Sequence, residues 1–232
     1  MRVILLLTMA FLPFKAFSQI DFSDWMLTLK FGLEQHDKRL FDYSEKEALL
    51  AMQPEFWGTY NWSLLADRKL YQNKKFTFFA GSGIQYQKAT FLRPFDHWYF
   101  NQDNLEILRY QNKYEKIFLP INASGYLSIG NGFSIDLAFS TYILLFRKIE
   151  NTAFGSDDFP YTNSTFELNS FEITSGINYE IGRFIIGLHS RLLNYQKIDK
   201  IIYNRTVQDP NVDQAWEFHN PLRFDFSFSY RL

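Results

Sequence analysis

Hydrophobic and polar residues alternate with period two along most of this chain. Side chains of an extended strand point to opposite faces in turn, so such alternation marks strands with one apolar face and one polar face. The clearest stretch is Phe224 to Leu232. Phe224, Phe226, Phe228, Tyr230 and Leu232 share one face; Asp225, Ser227, Ser229 and Arg231 share the other. Seven further segments read the same way: Trp25 to Glu34, Glu55 to Leu64, Lys75 to Lys88, Tyr114 to Ile129, Phe133 to Leu145, Ser170 to Ile181 and Phe184 to Tyr195. With the last strand, taken from about Leu222, the pattern predicts eight strands. Gly81 and Gly83 fall on the polar face of the third, where a missing side chain leaves room for large ones opposite. Pro120, in the fourth, cannot donate a ladder hydrogen bond, which predicts a bulge or a locally open edge.

The connections alternate in length. Gly130-Asn131-Gly132 and Gly182-Arg183 read as tight turns built from residues that tolerate positive φ, and Ala66 to Lys74 reads as a modest turn. The remaining connections, near Gln35–Pro54, Ala89–Lys113, Phe146–Asn169 and Gln196–Pro221, are long. Short turns at one end and long loops at the other are the signature of an up-and-down transmembrane barrel, with the short turns periplasmic. Period two cannot say which face points inward. A heavy apolar face in nearly every strand, charges of both signs on the polar face and an amphipathic strand at the end of the chain favour apolar-out. The expected fold is therefore all-β: an eight-stranded antiparallel up-and-down transmembrane β-barrel with long outer loops and short periplasmic turns.

Composition fits that choice. A mean hydropathy of -0.23 looks soluble, but a barrel hides its lipid-facing residues among polar ones. The 26 Phe and 14 Tyr are more than an ordinary core needs and suit a lipid-facing band with aromatic girdles. After the first residues no run of about 18 apolar residues remains, so no spanning helix is predicted. The net charge of -1 gives no reason to expect nucleic acid or a strongly anionic surface as partner. With no Cys, disulfides and thiolate metal sites are excluded.

The start of the chain points to export. Arg2 is a short positive region, Val3 to Leu12 an apolar run too short to span a bilayer, and Ala16-Phe17-Ser18 a small-x-small cleavage site. Residues 1–18 are expected to be a cleaved signal peptide, with cleavage before Gln19, and residues 19–232 the barrel domain.

The leader, the strand count and the terminal aromatic strand together resemble small outer-membrane β-barrel proteins, such as the OmpA transmembrane domain, OmpX and the PorT-like barrels. Tyr114-Glu115-Lys116-Ile117-Phe118-Leu119-Pro120-Ile121 is similar to the PorT-like strand that carries an acidic residue followed by an apolar-Pro step. The resemblance implies the outer membrane of a Gram-negative bacterium. It also implies outer-membrane lipid and, during biogenesis, the barrel-assembly machinery as partners. Its PorT-like branch implies a link to secretion.

Candidate chemistry lies in two places. The polar faces put Lys30, Glu34, Asp136, Glu172, Glu180, His189, Arg191, Arg223, Asp225 and Arg231 in the interior, where an eight-stranded barrel has room only for side chains. Both signs are present, so a network of mutual ion pairs is expected. The outer loops carry Phe95, Trp98, Tyr99, Phe100, Ile201 and Tyr203, candidate partner-binding residues, and Ser44 to Met52 reads as a capped short helix. His36, His97 and His219 fall in the same loops, and no metal or cofactor is expected. A lipid deacylase of this size uses a His and a Ser two apart on one strand face. Here His189 and Ser190 are adjacent and point to opposite faces, so they form no nucleophile–base pair. The function expected is that of a non-enzymatic structural or adaptor subunit of an envelope assembly, acting through its extracellular loops. The alternatives are a lipid-modifying enzyme and a narrow ion channel.

Overall fold

A computed structural model describes residues 24–34, 56–95, 108–153, 159–202, 211–218 and 222–232. Every extended element is antiparallel to its neighbours. In chain order these are β1 (Trp25–Glu34), β2 (Phe56–Gln72), β3 (Phe76–Phe95), β4 (Leu108–Gly130), β5 (Phe133–Ala153), β6 (Phe159–Ile181), β7 (Phe184–Ile202), β8 (Asn211–Phe218) and β9 (Arg223–Arg231). Strands β1 to β7 pair in sequence, β7 pairs with β9, and β9 pairs with β1, which closes the ring.

Among the described residues nine strands make a ring of eight staves. Both β8 and β9 pair with β7, β8 opposite Tyr195–Ile202 and β9 opposite Phe184–Ser190. They form one stave that slips register by one residue between the pairs Tyr195↔Phe218 and Ser190↔Phe224.

The tight turns have the conformations their residues favour. Gly130, Asn131 and Gly132 all have positive φ, as does Gly182. In the β2–β3 turn the Asn73 Oδ1 accepts hydrogen bonds from the Lys75 and Phe76 backbone N–H groups, at 2.9 and 2.7 Å. This turn is shorter than the Ala66–Lys74 segment expected, because β2 continues to Gln72.

At the other end the expected long loops are largely strand. β3 runs on to Phe95 against β4, β5 to Ala153 against β4 and to Asn151 against β6, and β7 to Ile202 against β8. Strict alternation of apolar and polar residues does not continue into those extensions. Pro120 behaves as its chemistry requires. The β3–β4 ladder skips Leu119 and Pro120 without changing register, and the Ser82 hydroxyl donates to the Pro120 carbonyl at 2.6 Å. The capped helix read at Ser44 to Met52 lies outside the described residues.

The apolar faces point outward. Leu27, Leu29, Phe31 and Leu33 of β1, Ile135, Leu137 and Phe139 of β5, and Phe224, Phe226 and Phe228 of β9 are all exposed, Leu33 by 71%. Such residues recur on β1 to β7 and β9, a belt that water would not tolerate. A tilted strand of ten residues covers the roughly 25 Å height of an outer-membrane apolar band. Aromatic contacts stand near its edges: Phe133–Tyr179 (4.7 Å between ring centroids) and Phe184–Tyr230 (5.0 Å) toward the tight turns, Tyr195–Trp216 (5.2 Å) and Tyr195–Phe218 (4.7 Å) toward the long hairpins.

Candidate functional site

The interior is layered. Toward the tight-turn end Met26, Phe79 and Ile185 form an apolar plug, with the Tyr126 ring edge-on to Phe79 at 5.5 Å. Toward the hairpin end Phe118, Tyr142 and Leu144 form a second apolar layer. Between them the residues are polar or charged, and most are buried.

The charged cluster begins beneath the second layer and draws on opposite walls. Glu172 on β6 accepts from Arg191 Nε of β7 at 2.8 Å, from Arg223 Nη1 of β9 at 3.0 Å and from the Tyr142 hydroxyl of β5 at 3.2 Å. Arg191 also reaches Glu34 of β1. Its Nη2 donates to Oε2 at 3.1 Å, and its Nη1 lies 3.1 Å from Oε1 in a poorly aligned ion pair. Arg223 Nε donates to Asp225 at 2.8 Å, and Nη2 reaches Asn61 of β2 at 3.3 Å. Gly32 sits beside this cluster; a Cβ there would collide with Asp225 and Asn61. Charges buried this deeply need such partners, because an unpaired one costs several kcal/mol, of order 3–5.

A second row lies beside the cluster. His189 of β7 has Nε2 2.7 Å from the Ser227 Oγ of β9 and Nδ1 3.2 Å from the Asp136 Oδ1 of β5. The Nδ1 contact is an ion-pair-range approach without good hydrogen-bond alignment. Asn178 Nδ2 donates to the same Asp136 oxygen at 2.8 Å. Two glycines make the space. A Cβ at Gly187 would stand 2.5 Å from His189 Nε2 and 2.6 Å from Ser227 Oγ, and one at Gly176 would collide with His189 Nδ1.

The order carboxylate, imidazole, hydroxyl is that of a nucleophile–base pair with its orienting acid. The sequence reading missed it because it looked for the serine beside His189, whereas Ser227 comes from the neighbouring stave. The register pairs Gly187 with Ser227 and His189 with Asp225, which puts all three polar side chains on the inner face. Ser190 is half-exposed on the opposite face. Asp136, His189 and Ser227 are each 2% exposed and lie between the two apolar layers.

The other polar-face residues of the strands are also placed. Lys30 shares the inner face of β1 with Glu34 and borders a cavity of about 10 Å³, room for one water-sized sphere, together with Gln85, Asn122, Glu172 and Arg223. Arg231 donates to Glu180 at 2.6 Å near the tight-turn mouth, where both are half-exposed. Asp67, which the segment boundaries had left in a turn, is buried and accepts a short hydrogen bond from Asn122. Arg147, expected in a loop, is buried because a bulge between Leu144 and Phe146 reverses the facing of β5.

Phe95 ends β3 opposite Leu108, and Ile201 pairs with Val212. Their side chains, together with Trp98, Tyr99, Phe100 and Tyr203 and the histidines His36, His97 and His219, lie outside the described residues.

A closed ring leaves no unpaired sheet edge at the level of the belt, and that is one of only two backbone solutions able to cross a bilayer. With its polar interior and apolar exterior, the protein is a transmembrane β-barrel of the outer-membrane type. No family model and no curated protein sequence matches the chain. Among solved structures it is similar to Neisserial surface protein A, at 8% identity and a TM-score of 0.42, over 90% of this chain and 97% of that one. It is also similar to the attachment invasion locus protein of Yersinia pestis, at 12% identity and a TM-score of 0.34, over 90% and 97%. Outer membrane protein H of P. aeruginosa matches at 15% identity and a TM-score of 0.34, over 90% and 99%. The fold assignment rests on the pairing and burial of the chain itself.

Proposed function

We propose that this barrel is a non-enzymatic structural or adaptor subunit of an envelope assembly, acting through its long-hairpin end. The observation that carries the reading is a filled interior beneath strands much longer than the belt needs. β4 and β6 each have 23 residues and β5 has 21, whereas about ten residues cross the apolar band. At the hairpin end β3 and β4 stay paired as far as Phe95 and Leu108, and β5 and β6 as far as Asn151 and Phe159.

The cross-lumen ion pairs and the two apolar layers support a plugged interior over an ion path. The burial of Asp136, His189 and Ser227 supports a structural role for that row over acyl transfer on a lipid. The PorT-like resemblance of Tyr114 to Ile121 gives the finer form of the proposal, a secretion- or transport-related assembly. In that form, residues 1–18 are an export leader removed before Gln19.

The test is affinity purification of the tagged protein from outer membranes in mild detergent, with mass spectrometry of what accompanies it. A stoichiometric envelope protein, lost when the β3–β4 hairpin is shortened to residue 88 on one side and 115 on the other, is the expected result. A clean, heat-modifiable monomer overturns the adaptor role.

A further inference from the structure

The overall charge of -1 conceals a local excess of positive charge at one end of the described barrel. At the tight-turn end Asp67 and Asp136 are buried, and the two half-exposed acidic side chains described there are both taken: Asp24 pairs with Lys69 at 2.9 Å, and Glu180 with Arg231 at 2.6 Å. Arg68, Lys74, Lys75 and Arg183 stand at the same end. Arg68 pairs with Trp25 at the start of β1, Lys74 and Lys75 form the β2–β3 turn, and Arg183 follows Gly182 in the β6–β7 turn. All four are exposed, and among the described residues none of them has an ion pair. Among the described residues, the exposed surface of this rim therefore carries four cations without an ion pair and no acid without one.

Their level in the bilayer is set by the aromatic side chains beside them. Lys75 precedes Phe76, Arg183 precedes Phe184, and the Phe184 ring lies 5.0 Å from that of Tyr230. Aromatic girdles sit at the junction of the acyl chains and the headgroups. The turn is also held in place: Asn73 ties the backbone of Lys75 and Phe76, and its amide donates to the Tyr71 hydroxyl at 3.1 Å. In ring order the cations run from the β2–β3 turn past β1 and β9 to the β6–β7 turn, while the remaining turn, Gly130-Asn131-Gly132, is uncharged.

We propose that this basic arc binds the phosphate headgroups of anionic phospholipid in the periplasmic leaflet. Charge complementarity selects the sign of the partner, and the girdle level selects a headgroup over a soluble acid. Long cationic side chains rooted at a girdle extend toward that layer while their stems stay in the apolar zone.

The experiment is electron paramagnetic resonance of the full barrel in phosphatidylcholine bilayers doped with spin-labelled phosphatidylglycerol or spin-labelled phosphatidylcholine. The motionally restricted fraction reports association with the wall. Phosphatidylglycerol is expected to be favoured by roughly twofold or more at low salt, with the preference falling toward unity at high salt. The combined variant Arg68→Gln, Lys74→Gln, Lys75→Gln and Arg183→Gln should lose the preference. Lys88→Gln with Lys197→Gln, at the opposite end, should keep it. If the fourfold variant fails to refold, Lys74→Gln with Lys75→Gln alone, in an exposed turn, should still reduce it. Equal association of the two lipids, or a preference that survives in a folded fourfold variant, overturns the proposal. So does charge-dependent retention of an acidic protein without lipid preference, which assigns the arc to a protein partner.

Discussion

The imidazole Nε2 of His189 lies 2.7 Å from the hydroxyl of Ser227, a residue 38 positions away in the chain. Two β-strands in register and two glycines create that contact, and it fixes several consequences for stability and reactivity.

Gly187→Ala inserts a methyl group where His189, Ser227 and Asn178 already meet. Overpacking of an interior with no room to relax costs about 1–3 kcal/mol. A lower urea midpoint for unfolding from detergent micelles is expected, while Gly182→Ala tests a different cost, the positive φ of an open turn. Unchanged midpoints for Gly187→Ala would show that the constellation can be rearranged freely.

Ser227 has a base beside it but is buried between the two apolar layers. A fluorophosphonate probe is expected to leave the folded barrel unlabelled at Ser227 and to give no more adduct than a Ser227→Ala variant. Stoichiometric labelling lost in Ser227→Ala would mean that the interior opens, and would revive an acyl-transfer role.

Glu172 holds Arg191 and Arg223 together. Glu172→Ala leaves two buried guanidinium groups short of a partner, a loss of about 3–5 kcal/mol. Arg231→Gln breaks a half-exposed pair at the rim and should cost no more than about 1 kcal/mol. Equilibrium unfolding of both variants under one set of conditions checks the contrast, and equal losses would contradict the layered interior.

Phe226 and Ser227 are adjacent and face opposite media. Phe226→Lys puts a charge on the lipid face, at a cost of up to about 2–4 kcal/mol at the bilayer midplane. The reciprocal change Ser227→Phe should block closure at Gly187 instead. Band shift on unheated gels reads both. Normal folding of Phe226→Lys would place that face outside the apolar belt.

Much of the wall was legible before any tertiary structure. β1 has the bounds that its alternation predicts, and β5, β6, β7 and β9 begin or end where the Gly-rich turns and apolar runs place them. Parity alone groups Glu34, Asp136, Glu172, His189, Arg191, Arg223 and Asp225 on one face, since a strand has only two. The signal failed where that rule stops holding. Toward the hairpin ends the strict alternation lapses in the sequence, so β3 to β7 were read short. At bulges the parity reverses, which hid Arg147 and left Leu192 and Leu193 both outward.

Local features were written in the chain: period-two strands, tight turns where Gly and Asn permit positive φ, and enough amphipathicity for a barrel. Which polar residue meets which was not, because that is a property of the closed ring. Ring closure and register bring Ser227 to His189, Glu172 to Arg223, and Lys74 to the same rim as Arg183. Those pairings depend on the offset between staves far apart in the chain, and period two is the same for every offset that keeps the faces matched.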